Sequence, residues 1–108
     1  MNMAKIINIS DKLSFEKPSI QVGEKKYTVN DSLETVMKFE EVYGDGDATG
    51  MLECLKVALG QEAYDELKFE KMSFKNIQVW FLAINAAMQD LSYEETERRF
   101  HNFTAKQE

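Results

Sequence analysis

The apolar residues at the start of the chain recur with a period of two, which is the period of a β-strand. Ile7 and Ile9 alternate with polar neighbours, and so do Leu13 and Phe15. Pro18, the only proline, then interrupts the pattern, and a strand start or a sheet edge tolerates proline. These positions predict short strands before residue 18.

A second alternation predicts a β-hairpin. Ile20 and Val22 alternate before Gly23, and Tyr27 and Val29 resume the period of two after a turn. A two-stranded hairpin is marginally stable by itself in water, so its apolar face must pack against another element. We expect the helices that follow to cover it.

The period then changes to that of a helix. Asp31 is expected to cap the first helix, with Glu34 three residues later completing a box-like pair. The apolar stripe of this helix includes Leu33, Val36, Met37 and Val42. Residues 44–47 contain two glycines and two aspartates, which predict the loop that ends it.

Three more helices follow from spacing and capping residues. The second carries leucines at spacings of three and four, namely Leu52, Leu55 and Leu59, and ends at Gly60. Residues 61–68 predict a short third helix. Ser92 and Glu95 have the spacing of a capping box and begin the last helix.

The most apolar stretch is residues 77–88, and between positions 79 and 88 only Asn85 is polar. Ser73 is expected to cap the helix that contains this stretch. A heptad-like seam runs along it through Phe74, Ile77, Phe81, Ile84, Met88 and Leu91. A helix that is apolar on all sides must be buried in a core or against a partner.

Two interpretations of that helix remain open. In the first it is the central helix of the domain's own core. In the second, one of its faces meets another subunit or a client chain, because exposed apolar patches on soluble proteins mark such interfaces. The candidate interaction residues on this face are Val79, Leu82, Ala83 and Ala86.

Together these patterns predict a single α+β domain spanning all 108 residues. An N-terminal β-hairpin with short strands occupies residues 1–30, and a bundle of four to five helices occupies residues 31–103. Residues 104–108 are polar and are expected to form a frayed tail.

Charge and composition narrow the classes of partner. The net charge is −6, which argues against nucleic acid because phosphate binding depends on Lys and Arg. Residues 1–30 carry five Lys and three acids, net +2, whereas residues 31–108 carry eight basic and sixteen acidic residues, net −8. The single cysteine, the lack of a signal-peptide pattern and the short apolar run predict a cytoplasmic protein that does not cross a membrane.

One loop resembles half of an EF-hand. Asp45 and Asp47 stand at its positions 1 and 3, Thr49 at position 5 and Glu53 at position 9, with a glycine at position 6. These four residues are the weak candidates for a calcium site. Position 12 is Lys56, where a bidentate glutamate should complete the oxygen shell, so its ammonium group argues against calcium. The other interpretation is an ordinary helix–helix loop with acidic residues at the N-terminus of the next helix.

Catalytic chemistry is not expected. His101 and Cys54 cannot make a closed zinc site without carboxylate ligands, and a small buried cysteine needs no redox role. The adjacent acid pairs lie in helical stretches that give neither carboxylate a contrasting environment. With no phosphate loop, nucleophile elbow or metal motif, we predict a non-enzymatic protein that uses no cofactor.

The order of elements resembles the small tail assembly chaperones of long-tailed bacteriophages and prophages, especially those of Gram-positive hosts. The likeness spans roughly residues 18–100. It rests on Ile20-x-Val22-Gly23-x-x-x-Tyr27-x-Val29, Asp31, Val42-Tyr43-Gly44 and Ser73-Phe74. It is a likeness of pattern and size that fixes no functional residue.

The resemblance implies a protein that holds the tape measure protein during tail assembly and helps recruit the major tail subunit. Such proteins often self-associate. Two alternatives remain: a small structural tail or head-completion component that uses its hairpin for β-augmentation, and a calcium-binding module at residues 45–56.

Overall fold

The computed structural model describes residues 4–43 and 47–105. Its hairpin strands are β1 (Ser19–Val22) and β2 (Lys25–Thr28). The five helices are α1 (Leu33–Tyr43), α2 (Ala48–Leu59), α3 (Gln61–Leu67), α4 (Phe74–Gln89) and α5 (Tyr93–Ala105). Short 3-10 turns lie at Ser10–Lys12 and Phe69–Lys71. The predicted α+β class, a hairpin followed by helices, is confirmed.

The hairpin is tied to the helices through its backbone. β1 and β2 are antiparallel, with Ile20 opposite Tyr27, and Gly23 takes the positive φ of +62° that the turn requires. Beyond β2, the Val29 N–H donates to the Pro18 carbonyl at 2.8 Å. The next amide, Asn30 N–H, donates to the Ala58 carbonyl near the end of α2, also at 2.8 Å.

The strands predicted before Pro18 are absent, so that prediction is wrong. Residues 4–17 are exposed throughout and form one 3-10 turn, flanked on both sides by residues without regular secondary structure. A strand needs a neighbour to bond, and the sheet of the described residues has only β1 and β2. The radius of gyration is 16.9 Å, against about 13 Å for a compact chain of this length. We call residues 4–17 the N-terminal arm.

Capping side chains begin the helices largely where the sequence predicts. The Ser73 hydroxyl accepts from the Asn76 N–H at 3.2 Å, and the Ser92 hydroxyl accepts from the Glu95 N–H at 3.1 Å. At α1 the prediction of Asp31 is wrong, because the Ser32 hydroxyl accepts from the Thr35 N–H at 3.4 Å. The helix therefore begins one residue later than an Asp31 cap would place it.

The buried face of α1 also differs from the predicted stripe. Thr35, Phe39 and Val42 are buried, at helical spacings of four and three, whereas Leu33 and Met37 are exposed. The Phe39 ring stacks on Phe81 of α4, with centroids 5.0 Å apart and planes at 18°. This aromatic pair sets the rotation of α1. Burying the phenyl ring of Phe39 stabilises the fold more than burying Leu33 or Met37 would, because the ring buries more apolar area and gains the aromatic contact.

The helix α4 is the centre of the core. Residues of its predicted seam, Ile77, Phe81 and Ile84, are buried, and Phe74 at its start is about half exposed. Around it pack α1, α2, α5 and β1. The first interpretation of the apolar stretch, a central core helix, therefore describes most of α4.

Candidate interaction surface

An open groove lies between the hairpin and α4. Its volume is about 370 Å³, and none of the side chains that line it carries a formal charge. The lining residues are Ile20, Gln21 and Val22 of β1, Met72, and Asn76, Val79, Trp80 and Ala83 of α4. We call this feature the β1–α4 groove.

Aromatic packing beneath the groove fixes its shape. Trp80 lies between two rings, with the Tyr27 ring centroid 5.8 Å away at 75° and the Phe69 centroid 5.2 Å away at 82°. Both are edge-to-face arrangements of the kind that aromatic rings prefer. The hairpin is thereby held on α4 through Tyr27, while Val22 at the end of β1 stays half exposed.

The four predicted interaction residues do not share one environment. Val79 and Ala83 line the β1–α4 groove and remain accessible, with 42% of Val79 exposed. Leu82 and Ala86 are buried by the chain itself, and Leu82 borders a crevice beside α5. The face divides because successive helical positions turn it partly toward α5 and partly toward the hairpin, and Val79 borders both the groove and the crevice. The second interpretation therefore applies only to Val79 and Ala83.

The N-terminal arm is a second apolar surface that sequence reasoning assigned to strands. Ile6 is 90% exposed and Phe15 is 86% exposed, and Ile7, Ile9 and Leu13 are each at least half exposed. Five large apolar side chains over ten positions exceed the scattered exposure that is ordinary on a protein surface. The alternation of apolar and polar residues, which led to the wrong prediction of strands, was also the feature of the sequence that could have indicated an exposed apolar segment.

The outer face of α1 combines apolar and acidic residues. Leu33 and Met37 are exposed one turn apart, and Glu34, Glu40 and Glu41 lie on the same helix. Met37 borders a shallow depression together with these three glutamates and Lys38. Such a surface suits a partner that brings both apolar side chains and positive charge.

The half EF-hand has a structural explanation among the described residues. α2 begins at Ala48, where Asp47 is its N-cap and accepts from the Thr49 N–H at 3.1 Å. Glu53 lies in the second turn of the helix and pairs with Lys38 of α1 at 3.2 Å. Asp45 lies outside the described residues.

The glycine of the same motif is explained by helix packing. A Cβ on Gly50 would lie 3.0 Å from the Val42 Cγ1, so the glycine allows α1 and α2 to approach closely. Within residues 4–43 and 47–105, no group of three His, Cys, Asp or Glu side chains is arranged to hold a metal ion.

Cys54 and His101 lie on different helices. Cys54 is fully buried in α2, and burial raises the pKa of its thiol to about 12. Its Sγ donates to the Lys38 carbonyl at 3.6 Å. His101 is exposed on α5, with its ring centroid 6.0 Å from that of Phe100. The thiol is thus a packed core group that is protonated at neutral pH.

Comparison with known proteins identifies no relative from which a function could be inferred. No protein-family model, curated protein or solved structure matches the chain. Among the helices that the structure describes, none has both the length and the apolar character needed to cross a lipid bilayer.

Proposed function

We propose that this chain is a non-enzymatic protein-binding module of a bacteriophage or prophage, a tail assembly chaperone acting in the host bacterial cytoplasm. Its clients are the tape measure protein and tail subunits. The observation that carries the proposal is the β1–α4 groove, an uncharged apolar surface left open beside a helix that otherwise forms the core. Apolar surface held open in this way favours binding of another polypeptide.

The chemistry of the chain supports a long helical client. Val79, Ala83 and Met72 offer apolar contact without charge, so they suit the apolar side chains of an amphipathic helix. Methionine adapts its shape to different side chains, which suits a client that presents many similar segments. The resemblance in the order of elements supports the same assignment.

Co-expression with a phage tape measure protein tests the proposal. We expect the wild-type chain to keep that client in the soluble fraction and to co-purify with it. Val79→Glu places a charge in the groove and is expected to abolish co-purification, because burying an unpaired charge is costly. Val57→Glu is the matched control, since Val57 lies on α2 and is 43% exposed.

Equal loss of co-purification in both valine variants, or retention in both, would count against the groove as the client site. Failure of the wild-type chain to bind the client at all would remove the chaperone function. Circular dichroism of each variant separates a binding defect from a folding defect.

A second candidate is a small structural tail or head-completion component. The two-stranded hairpin favours it, because each strand has one edge without a strand neighbour among the described residues. Mass spectrometry of purified phage particles separates the two functions. A structural component remains in the mature particle at a fixed copy number, whereas an assembly chaperone leaves it.

A further inference from the structure

Two of the uncovered surfaces of the described residues are apolar, and they differ in shape. The N-terminal arm is an exposed segment, interrupted by the 3-10 turn at Ser10–Lys12, with large side chains at Ile7, Ile9, Leu13 and Phe15. The β1–α4 groove is a concave site of about 370 Å³. A projecting apolar segment and an apolar concavity on one polypeptide are complementary, so every copy of the chain brings both halves of a contact.

The charges of the two surfaces are compatible with that contact. The arm holds three lysines and two acids, net +1, which leaves −7 on residues 18–108. The groove lining is uncharged, so the apolar side chains of the arm can enter it without desolvating a buried charge. The lysines of the arm then remain near the acidic remainder of the other copy, which favours encounter.

The arm is poorly placed to enter the groove of its own chain. The groove begins at Ile20, two residues after Pro18, so the arm would have to reverse at once. A proline restricts the preceding residue to extended backbone, which denies Lys17 the conformations of a tight turn. Pro18 itself is held by the hydrogen bond from Val29 to its carbonyl. The same features favour a contact of the arm with another molecule over one with its own body.

We propose that the N-terminal arm of one copy docks in the β1–α4 groove of a second copy. Leu13 and Phe15, two exposed apolar side chains two positions apart and close to β1, are the anchor residues of the arm. Val79, Ala83 and Trp80 of the partner copy receive them. Reciprocal exchange of two arms gives a closed dimer, and sequential exchange gives a ring or a longer assembly.

This contact does not depend on the tail-assembly function. Where both hold, the arm and the client occupy the same groove, so self-association and client binding compete. This competition rests on the proposed function, and one variant separates self-association from client binding. Phe15→Asp removes an anchor of the arm and leaves the groove of the same molecule intact, so it should lose self-association while keeping the client.

Light scattering and sedimentation of the full chain over a wide concentration range measure the association. We expect the wild-type protein to associate, and Phe15→Asp and Val79→Glu each to raise the dissociation constant about tenfold or more. Ser14→Asp adds the same charge at the position before Phe15 without removing an apolar side chain, and Val57→Glu matches Val79 in residue type and exposure. Both controls should associate as the wild type does.

Mixing the two defective variants is the sharper test. The Phe15→Asp chain retains an intact groove, and the Val79→Glu chain retains an intact arm. Each alone should be monomeric, and an equimolar mixture should form a one-to-one complex through a single arm. Trp80, the only tryptophan, lines the groove, so its emission should shift to shorter wavelength when the complex forms.

A peptide of residues 4–17 gives an independent readout. Titrated into the Phe15→Asp protein, it should shift Trp80 emission in a saturable way, and the same peptide with Leu13 and Phe15 replaced by aspartate should not. A wild-type protein that stays monomeric at all concentrations overturns the proposal. This holds also if the arm of that monomer is docked in the groove of its own chain. Association that Phe15→Asp and Val79→Glu leave unchanged overturns it equally, since the interface would lie elsewhere.

Discussion

The ring of Tyr27 meets the ring of Trp80 edge to face, with centroids 5.8 Å apart and planes at 75°. Through this contact a two-stranded hairpin, which would be marginal alone, is attached to the central helix. Lys25 of the same strand also pairs with Glu66 of α3 on the surface. The Tyr27 ring therefore helps to fix the position of the hairpin, and with it one wall of the β1–α4 groove, together with the packing of Ile20 and the hydrogen bond from Asn30 to Ala58.

Tyr27→Ala should lower the free energy of unfolding by about 2 kcal/mol, because it removes apolar burial and the aromatic contact together. It should also shift Trp80 emission to longer wavelength in the folded state as water reaches the indole. Urea denaturation followed by tryptophan fluorescence measures both. Lys26→Ala, on the exposed neighbouring position of β2, is the control and should change neither.

Phe39 and Met37 test which face of α1 is buried. Phe39→Ala should cost about 3–4 kcal/mol, because it empties the space against Phe81. Met37→Ala should cost less than about 0.5 kcal/mol, because Met37 is 58% exposed. Thermal or urea denaturation of the two variants gives the comparison. Similar losses at both positions would contradict the helix orientation described above.

Asn85 is a polar residue buried in α4. Its Oδ1 accepts from the Gln89 amide at 3.3 Å, and its Nδ2 finds no hydrogen-bond partner among the described residues. Asn85→Leu should therefore raise the free energy of unfolding by about 1 kcal/mol, because a buried donor without a partner is replaced by an apolar group of similar shape. Asn85→Leu also removes the Oδ1 that accepts from Gln89. Gln89→Ala is therefore the control, because it removes the same hydrogen bond from the other side. A destabilised Asn85→Leu variant would mean that the side-chain amide of Asn85 makes hydrogen bonds that stabilise the folded state.

The raised pKa of Cys54 predicts a loss of stability at alkaline pH. The thiol ionises near 9 when unfolded and near 12 when buried, so between these values the unfolded state binds fewer protons. The contribution of the buried, protonated thiol to the free energy of unfolding is thus complete below about pH 9 and is lost as the pH rises toward 12. The wild type should lose stability more steeply than Cys54→Ala in this range, by about 1.4 kcal/mol per pH unit. Equal slopes would refute the prediction.

Calcium should leave the protein unchanged. Asp47 already caps α2, Glu53 pairs with Lys38, and Lys56 stands where the twelfth ligand should be. Millimolar CaCl₂ should shift neither the melting temperature nor the amide chemical shifts of residues 47–56, relative to MgCl₂ at the same ionic strength. A specific shift with calcium alone would restore the metal-binding alternative.

The elements that sequence reasoning predicted correctly carry local signals. Ser73 and Ser92 cap helices because a hydroxyl at that position satisfies a free N–H, whatever the rest of the fold does. Gly60 ends α2 with its positive φ of 89° for the same kind of local reason. The hairpin follows from a turn glycine between two alternating runs.

The errors concern questions that local pattern does not decide. Whether Ile7 and Phe15 lie in strands depends on a pairing partner, and residues 4–43 and 47–105 supply none to them. The rotation of α1 depends on Phe81, forty-two positions after Phe39. Val79 and Leu82 are neighbours on one helical face, and only the positions of the hairpin and α5 separate the accessible residue from the buried one.

The length of the N-terminal arm has a kinetic consequence. Fourteen fully extended residues would span up to about 50 Å, and the 3-10 turn at Ser10–Lys12 shortens that reach, in a molecule that measures 65 Å along its longest axis and 22 Å along its shortest. An exposed apolar segment that is attached at one end samples a larger volume than a flat patch of equal area. First contact with a partner is therefore made at the tip of the arm, and the arm enlarges the capture radius before the bodies of the two molecules meet.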